Sequence, residues 1–111
     1  MKLPSKIKFV DERLSKSFNK LKENKEQKIL YSSLISAFNE IEKNAFIGIQ
    51  IPKKLIPKDY TKKYNIHNLW KYNLPNAWRL LYSVQQNEIA IISIILEWMD
   101  HKDYERRFGY N

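Results

Sequence analysis

The residues best suited to chemistry lie near the C-terminal end, in the stretch Trp98-Met99-Asp100-His101-Lys102-Asp103-Tyr104-Glu105-Arg106-Arg107-Phe108-Gly109-Tyr110. It sets an imidazole, a phenol and the cations Lys102, Arg106 and Arg107 within a turn or two of one another. An imidazole titrates near neutral pH and suits proton transfer. A tyrosine ring can stack on a base or orient a proton, and Arg or Lys can hold a phosphoryl group and stabilise the charge it gains. A purely structural account competes with that chemistry. In it, Asp100 caps a short helix, Tyr104 and Phe108 enter the core, and Arg106 and Arg107 sit solvated at the end the helix dipole favours.

Two further cations fall on predicted strands. Residues 69–74 alternate so that Leu69, Lys71 and Asn73 share one face, with Trp70, Tyr72 and Leu74 on the other. In 78–84, Arg79, Leu81 and Ser83 share a face opposite Trp78, Leu80, Tyr82 and Val84. Only the turn Pro75-Asn76-Ala77 separates these strands, so Lys71 and Arg79 come near each other across a hairpin whose register the sequence leaves open. Cations facing each other on a sheet repel unless an anion lies between them, and a phosphate is such an anion. An ordinary solvated sheet face explains the same spacing equally well.

The elements that must position these groups follow from hydrophobic period. Lys6-Ile7-Lys8-Phe9-Val10 alternates as a short first strand. Asp11 suits an N-cap, and Leu14, Phe18 and Leu21 then recur on one helical face. Asn24 and Gln27 have capping-box spacing ahead of a longer helix striped by Leu30, Leu34, Phe38 and Ile41, with Ile35 widening the stripe. The pattern breaks over 45–68, where Gly48, Pro52 and Pro57 punctuate a lysine-loaded segment. A long loop with a helical turn near 58–64 is expected there. Residues 69–74, 78–84 and 89–98 read as three strands, the last apolar on both faces and therefore central. A final helix, 101–108, ends at Gly109. The expected fold is one α+β domain over 1–111. Its N-terminal strand and two-helix hairpin pack on a mostly antiparallel four-stranded sheet, and a short helix closes the chain.

Composition narrows the partners. The 111 residues suffice for one core and not for two. Lysine and arginine number 20 against 12 acids, a formal net charge of +8, and three tryptophans, seven tyrosines and five phenylalanines accompany that charge. Such a field favours polyanions, nucleic acid foremost. The absence of cysteine excludes disulfides, zinc–thiolate sites and thiol catalysis. His67 and His101 lie far apart without an HExxH pattern, so no metal site is expected, and no Gly-rich phosphate loop occurs. The acids are scattered as helix-surface partners, which disfavours paired-carboxylate hydrolysis. No secretory h-region follows Met1, and the apolar run 89–96 is too short to span a bilayer, so a cytoplasmic protein without a membrane or a cofactor is expected. What remains is a cation-rich site working without metal. It suits cleavage of RNA by its own 2′-hydroxyl: one group takes that proton, others stabilise the phosphorane, and another protonates the leaving 5′-oxygen.

The order β-α-α-β-β-β-α, the stretch Leu69-Trp70-Lys71-Tyr72-Asn73-Leu74, the strand Trp78-Arg79-Leu80-Leu81-Tyr82-Ser83-Val84 and the tail His101-Lys102-Asp103-Tyr104 resemble the RelE/ParE superfamily of type II toxin–antitoxin systems. The likeness runs through most of the chain from Lys6 onward, with 78–84 its most specific part, while 48–64 finds no clear counterpart. RelE-type members cut mRNA on the ribosome, and ParE-type members share the fold but target DNA gyrase. On the RelE side, the resemblance implies that Arg79 stabilises the scissile phosphate and that Lys71 adds to charge stabilisation. It further implies acid/base work for His101, and stacking or orientation for Tyr104. Lys102, Arg106, Arg107 and the loop lysines Lys53 and Lys54 are then RNA-binding candidates. Many RelE proteins carry a second lysine two residues after the first, where this chain has Asn73. The resemblance implies as partners a cognate antitoxin, in a heterotetramer with it, together with mRNA and the ribosome. A ParE-like gyrase inhibitor and a non-catalytic RNA- or ribosome-binding protein are the alternatives on the same fold.

Overall fold

Charged and apolar residues alternate through the strand β1 (Lys6–Phe9), the first element of a computed structural model that describes residues 2–109. Tyr110, which closes the C-terminal motif, lies outside the described residues. Asp11 accepts a hydrogen bond from the Leu14 amide at 2.9 Å and so caps α1 (Glu12–Glu23). The cap at Asn24 takes a different form from a capping box. Its Oδ1 accepts from the Glu26 amide at 2.9 Å while its Nδ2 donates to Gln27 Oε1 at 3.2 Å, giving a 3-10 turn (Lys25–Gln27) before α2 (Lys28–Lys43).

The remaining strands are β2 (Ile49–Gln50), β3 (Trp70–Asn73), β4 (Arg79–Gln86) and β5 (Ile91–Met99). They form one sheet in the order β1-β5-β4-β3-β2, antiparallel except for the β1–β5 pair. The fold is α+β, as expected, with five strands where the sequence pattern marked four. β2 escapes a pattern search because two residues cannot display alternation. It is held in place by Gly48, where an added Cβ would lie 2.6 Å from the Lys71 carbonyl oxygen and 2.8 Å from the Tyr82 hydroxyl. The rest of the expected loop holds a 3-10 turn (Lys53–Leu55) and α3 (Lys58–Tyr64), the latter ended by Asn65 in the left-handed region (φ 56°).

The sheet is covered on both faces, which explains the doubly apolar pattern of β5. Leu74, Leu80, Tyr82 and Ile95 face α1 and α2 and pack with Leu14, Leu34, Phe38 and Ile41. Leu69, Leu81, Leu96 and Met99 face the other way, against Tyr60 of α3 and Tyr104 and Phe108 of α4 (His101–Phe108). The β4–β5 register slips between Leu81 and Tyr82, pairing Leu81 with Glu97 and Tyr82 with Ile95, so Leu96 is the extra residue of a bulge. Both Leu96 and Glu97 thereby turn to the α3/α4 face. No helix among the described residues is long and apolar enough to cross a membrane.

Candidate nucleic-acid interface

The hairpin register decides whether Lys71 and Arg79 can share a ligand. Lys71 pairs with Leu81, and Asn73 pairs with Arg79, which sets Lys71 diagonal to Arg79 on the α3/α4 face. α4 arrives on that same face. Asp100 caps it by accepting from the Asp103 amide at 2.9 Å, and Gly109 ends it in the left-handed region (φ 67°). Its fourth residue, Tyr104, is only 2% exposed and packs against Phe108 with ring centroids 4.6 Å apart. Over the Tyr104 ring lie two cations: Lys71 Nζ at 5.1 Å and Arg79 Cζ at 5.6 Å from the centroid. Electron density on the ring face attracts both, so the ring gathers two charges that repel each other.

Arg79 is half-buried. Its Nη1 donates to the Trp78 carbonyl at 3.1 Å, while its Nε is buried with no hydrogen-bond acceptor among the described residues. A buried donor left without an acceptor costs about 1–3 kcal/mol, a cost that the fold carries at this cationic position. Tyr104 is too deeply buried to stack on a base. Its ring works as a platform under Lys71 and Arg79.

The other candidates divide. His101 is exposed on the first turn of α4, where its Nε2 lies 2.6 Å from Glu105 Oε1. That contact makes a histidine–carboxylate pair at the mouth of the helix and not a member of the Tyr104 cluster. Lys102 is exposed, and Arg106 pairs along the helix with Asp103 at 3.3 Å. Arg107 is drawn into structure. Its Nη2 reaches Asp59 and Glu97, each at 3.0 Å, and its guanidinium lies 4.9 Å from the Tyr60 ring centroid. The Tyr60 hydroxyl donates to Glu97. Burial, and then the Glu97 carboxylate, push the Tyr60 phenol well above its usual range. This clasp ties α3, β5 and α4 together. Sequence reasoning missed Glu97 and Tyr60, yet one signal was available: Glu97 is the only acid in the apolar stretch 89–98, and a carboxylate there needs partners.

Lys53 and Lys54 lie away from the ring, on the 3-10 turn before α3, where they line a groove with Lys58 and Lys62. Among the described residues no group of three or more His, Cys, Asp or Glu side chains is placed to hold a metal ion. No protein-family model, curated protein or solved structure matches the chain.

Proposed function

We propose that this chain is a RelE-type member of the RelE/ParE superfamily: the toxin of a type II toxin–antitoxin pair, an endoribonuclease that cuts mRNA on the ribosome by attack of the 2′-hydroxyl, without a metal. The observation that carries this reading is the convergence of Lys71 and Arg79 on the one ring of Tyr104. In the reaction, Arg79 and Lys71 hold the scissile phosphate and stabilise the phosphorane, and Tyr104 positions both cations. His101, oriented by Glu105, moves the proton. The 2′-oxygen bonds to phosphorus, its proton passes to the base, and the 5′-oxygen leaves protonated, yielding a 2′,3′-cyclic phosphate. An acidic antitoxin segment covers the same basic face and holds the toxin inactive in a heterotetramer in the cytoplasm.

A second reading is favoured by one observation: His101 is bonded to Glu105 and stands outside the Tyr104 cluster. On that reading the face only binds, either to ribosomal RNA or, in the ParE manner, to gyrase. Inducible expression with mapping of mRNA 5′ ends, with and without ribosomes, separates the readings. The nuclease predicts ribosome-dependent cleavage and growth arrest that Arg79→Ala abolishes and His101→Ala weakens, with the fold intact by circular dichroism. Full toxicity in Arg79→Ala removes Arg79 from the mechanism. Arrest through DNA damage, with mRNA uncut, assigns the chain to gyrase.

A further inference from the structure

We infer that the groove between the Lys53–Leu55 turn and α3 is a second RNA-binding surface, one that grips the sugar–phosphate backbone and does no chemistry. The groove has a volume of about 380 Å³, and Lys53, Lys54, Lys58 and Lys62 rim it over the apolar side chains of Ile56 and Ile66. All four lysines are exposed, and none has a carboxylate within 4.0 Å among the described residues. The acid nearest in sequence, Asp59, is turned to Arg107 at 3.0 Å. The clasp that locks α3 onto α4 therefore also withdraws the one carboxylate of α3 from the groove, leaving its positive charge uncompensated.

The chemistry of the rim selects the ligand. Lysine ammonium groups are compact, strongly hydrated point charges on mobile stems; they suit phosphates held in series and lack the planar fork that reads a base edge. Lys58 and Lys62 stand one helical turn apart, so they present neighbouring charges along a strand. No Phe, Tyr or Trp lines the groove, and the ring at its edge is the small imidazole of His67, so backbone contacts outweigh stacking and binding is without sequence preference. An acidic protein segment is the other polyanion that could lie there. The rim offers it no guanidinium for bidentate carboxylate pairing, and phosphates are the better match. The groove shares with the proposed nuclease only its ligand class, RNA, and requires no cleavage.

The test is the salt dependence of binding to a short, end-labelled oligouridylate with 2′-O-methyl groups, which cannot be cleaved by its own 2′-hydroxyl. Replacing Lys53, Lys54, Lys58 and Lys62 together by Gln is expected to lower the slope of log K against log salt by about 3, at about 0.7 for each phosphate that a lysine no longer neutralises. The double variant Lys58→Gln/Lys62→Gln is expected to lose about half of that. A charge-matched control replaces the exposed Lys20, Lys22, Lys25 and Lys28, which belong to the α1–α2 layer, and is expected to change the slope by less than about 1. A groove variant that binds like the wild type, or a control that loses as much as the groove variant, overturns the inference. So does an oligoglutamate that binds the wild type more tightly than the RNA does and loses its binding in the groove variant; that result assigns the groove to an acidic protein. Failure of the two ideas is distinguishable. If no form of the protein cuts mRNA yet the slope falls as expected, the nuclease is lost and the groove stands. If Arg79→Ala abolishes cleavage while the groove variant binds normally, the groove is lost and the nuclease stands.

Discussion

Replacing Arg79 by Met should leave stability nearly unchanged while removing activity, and the geometry around the guanidinium sets the magnitudes. Truncation removes the Nη1 hydrogen bond to the Trp78 carbonyl at 3.1 Å, worth about 1.5–3 kcal/mol for a charged donor. It also removes the cation–ring attraction to Tyr104, about 0.5–1 kcal/mol. Against this, it takes away a buried Nε–H that has no acceptor, recovering about 1–3 kcal/mol. A thioether beside the Tyr104 ring returns about 0.3–1.5 kcal/mol more. The opposing sums nearly cancel, so urea denaturation should show a change of no more than about 1 kcal/mol. On the proposed mechanism the same substitution takes the principal charge from the phosphorane, and a loss of about 10²–10³ in cleavage rate is expected. Urea melts and 5′-end mapping of a ribosome-bound message measure the two quantities on one preparation. A variant destabilised by more than about 2 kcal/mol that still cleaves at the wild-type rate would make Arg79 a structural pin and take it out of the chemistry.

Arg107→Gln should behave in the opposite way. The clasp to Asp59 and Glu97 is broken, so the melting temperature falls, while oligouridylate affinity measured by anisotropy should change less than about threefold, because the guanidinium is already engaged by the two carboxylates. Tyr82→Phe removes a hydroxyl that donates to the Ala45 carbonyl at 2.7 Å and accepts from the Gly48 amide at 3.0 Å; a loss of about 1–3 kcal/mol is expected in urea melts. At high pH the same phenol should destabilise the protein. Burial pushes Tyr82 up to about 12, and ionisation would set a phenolate against the Ala45 carbonyl. A pKa raised in the fold means stability that is complete below the unfolded value of about 10 and lost as pH climbs from there towards about 12, roughly 3 kcal/mol for Tyr82, with Tyr60 acting in the same direction. Denaturation midpoints followed from about pH 9 to about pH 12 should fall over that window, and less steeply in Tyr82→Phe. Gly48→Ala should cost about 1–3 kcal/mol in urea melts through its collision with the Lys71 carbonyl and the Tyr82 hydroxyl.

The elements carrying long periodic patterns were legible in the sequence. Leu14, Phe18 and Leu21 marked α1, the stripe from Leu30 to Ile41 marked α2, and Asp100 with Gly109 bracketed α4. The faces of β3 and β4 were legible too, because alternation alone sorts Lys71 and Arg79 from Tyr72 and Leu80. Three things were not. β2 is too short to carry a period. The bulge at Leu96 alters which residues share a face, and nothing in Ile94-Ile95-Leu96-Glu97 announces it. The direction of each α4 side chain depends on what the helix packs against, so Arg107 and Arg106, neighbours in sequence, meet different partners: a clasp with Glu97 and Asp59 for one, the exposed Asp103 for the other.

The placement of the acids explains why a net charge of +8 is not an even coat. Carboxylates on the helices answer nearby cations: Glu12 with Lys16, Glu40 with Lys43, Asp103 with Arg106. Glu97 and Asp59 both answer Arg107, and the charged side chains that line the α3 groove are lysines. Asn73, directly across from Arg79, adds no third charge to the Tyr104 cluster. A lysine there would have crowded Arg79 on an exposed strand end, whereas an amide can donate to a phosphate oxygen without repelling its neighbour. Among the described residues, Lys71 and Arg79 thus lie over one ring with the neutral donor Asn73 beside them. Further positive charge gathers in the groove on α3, where the proposed RNA contact would not add to the repulsion between Lys71 and Arg79.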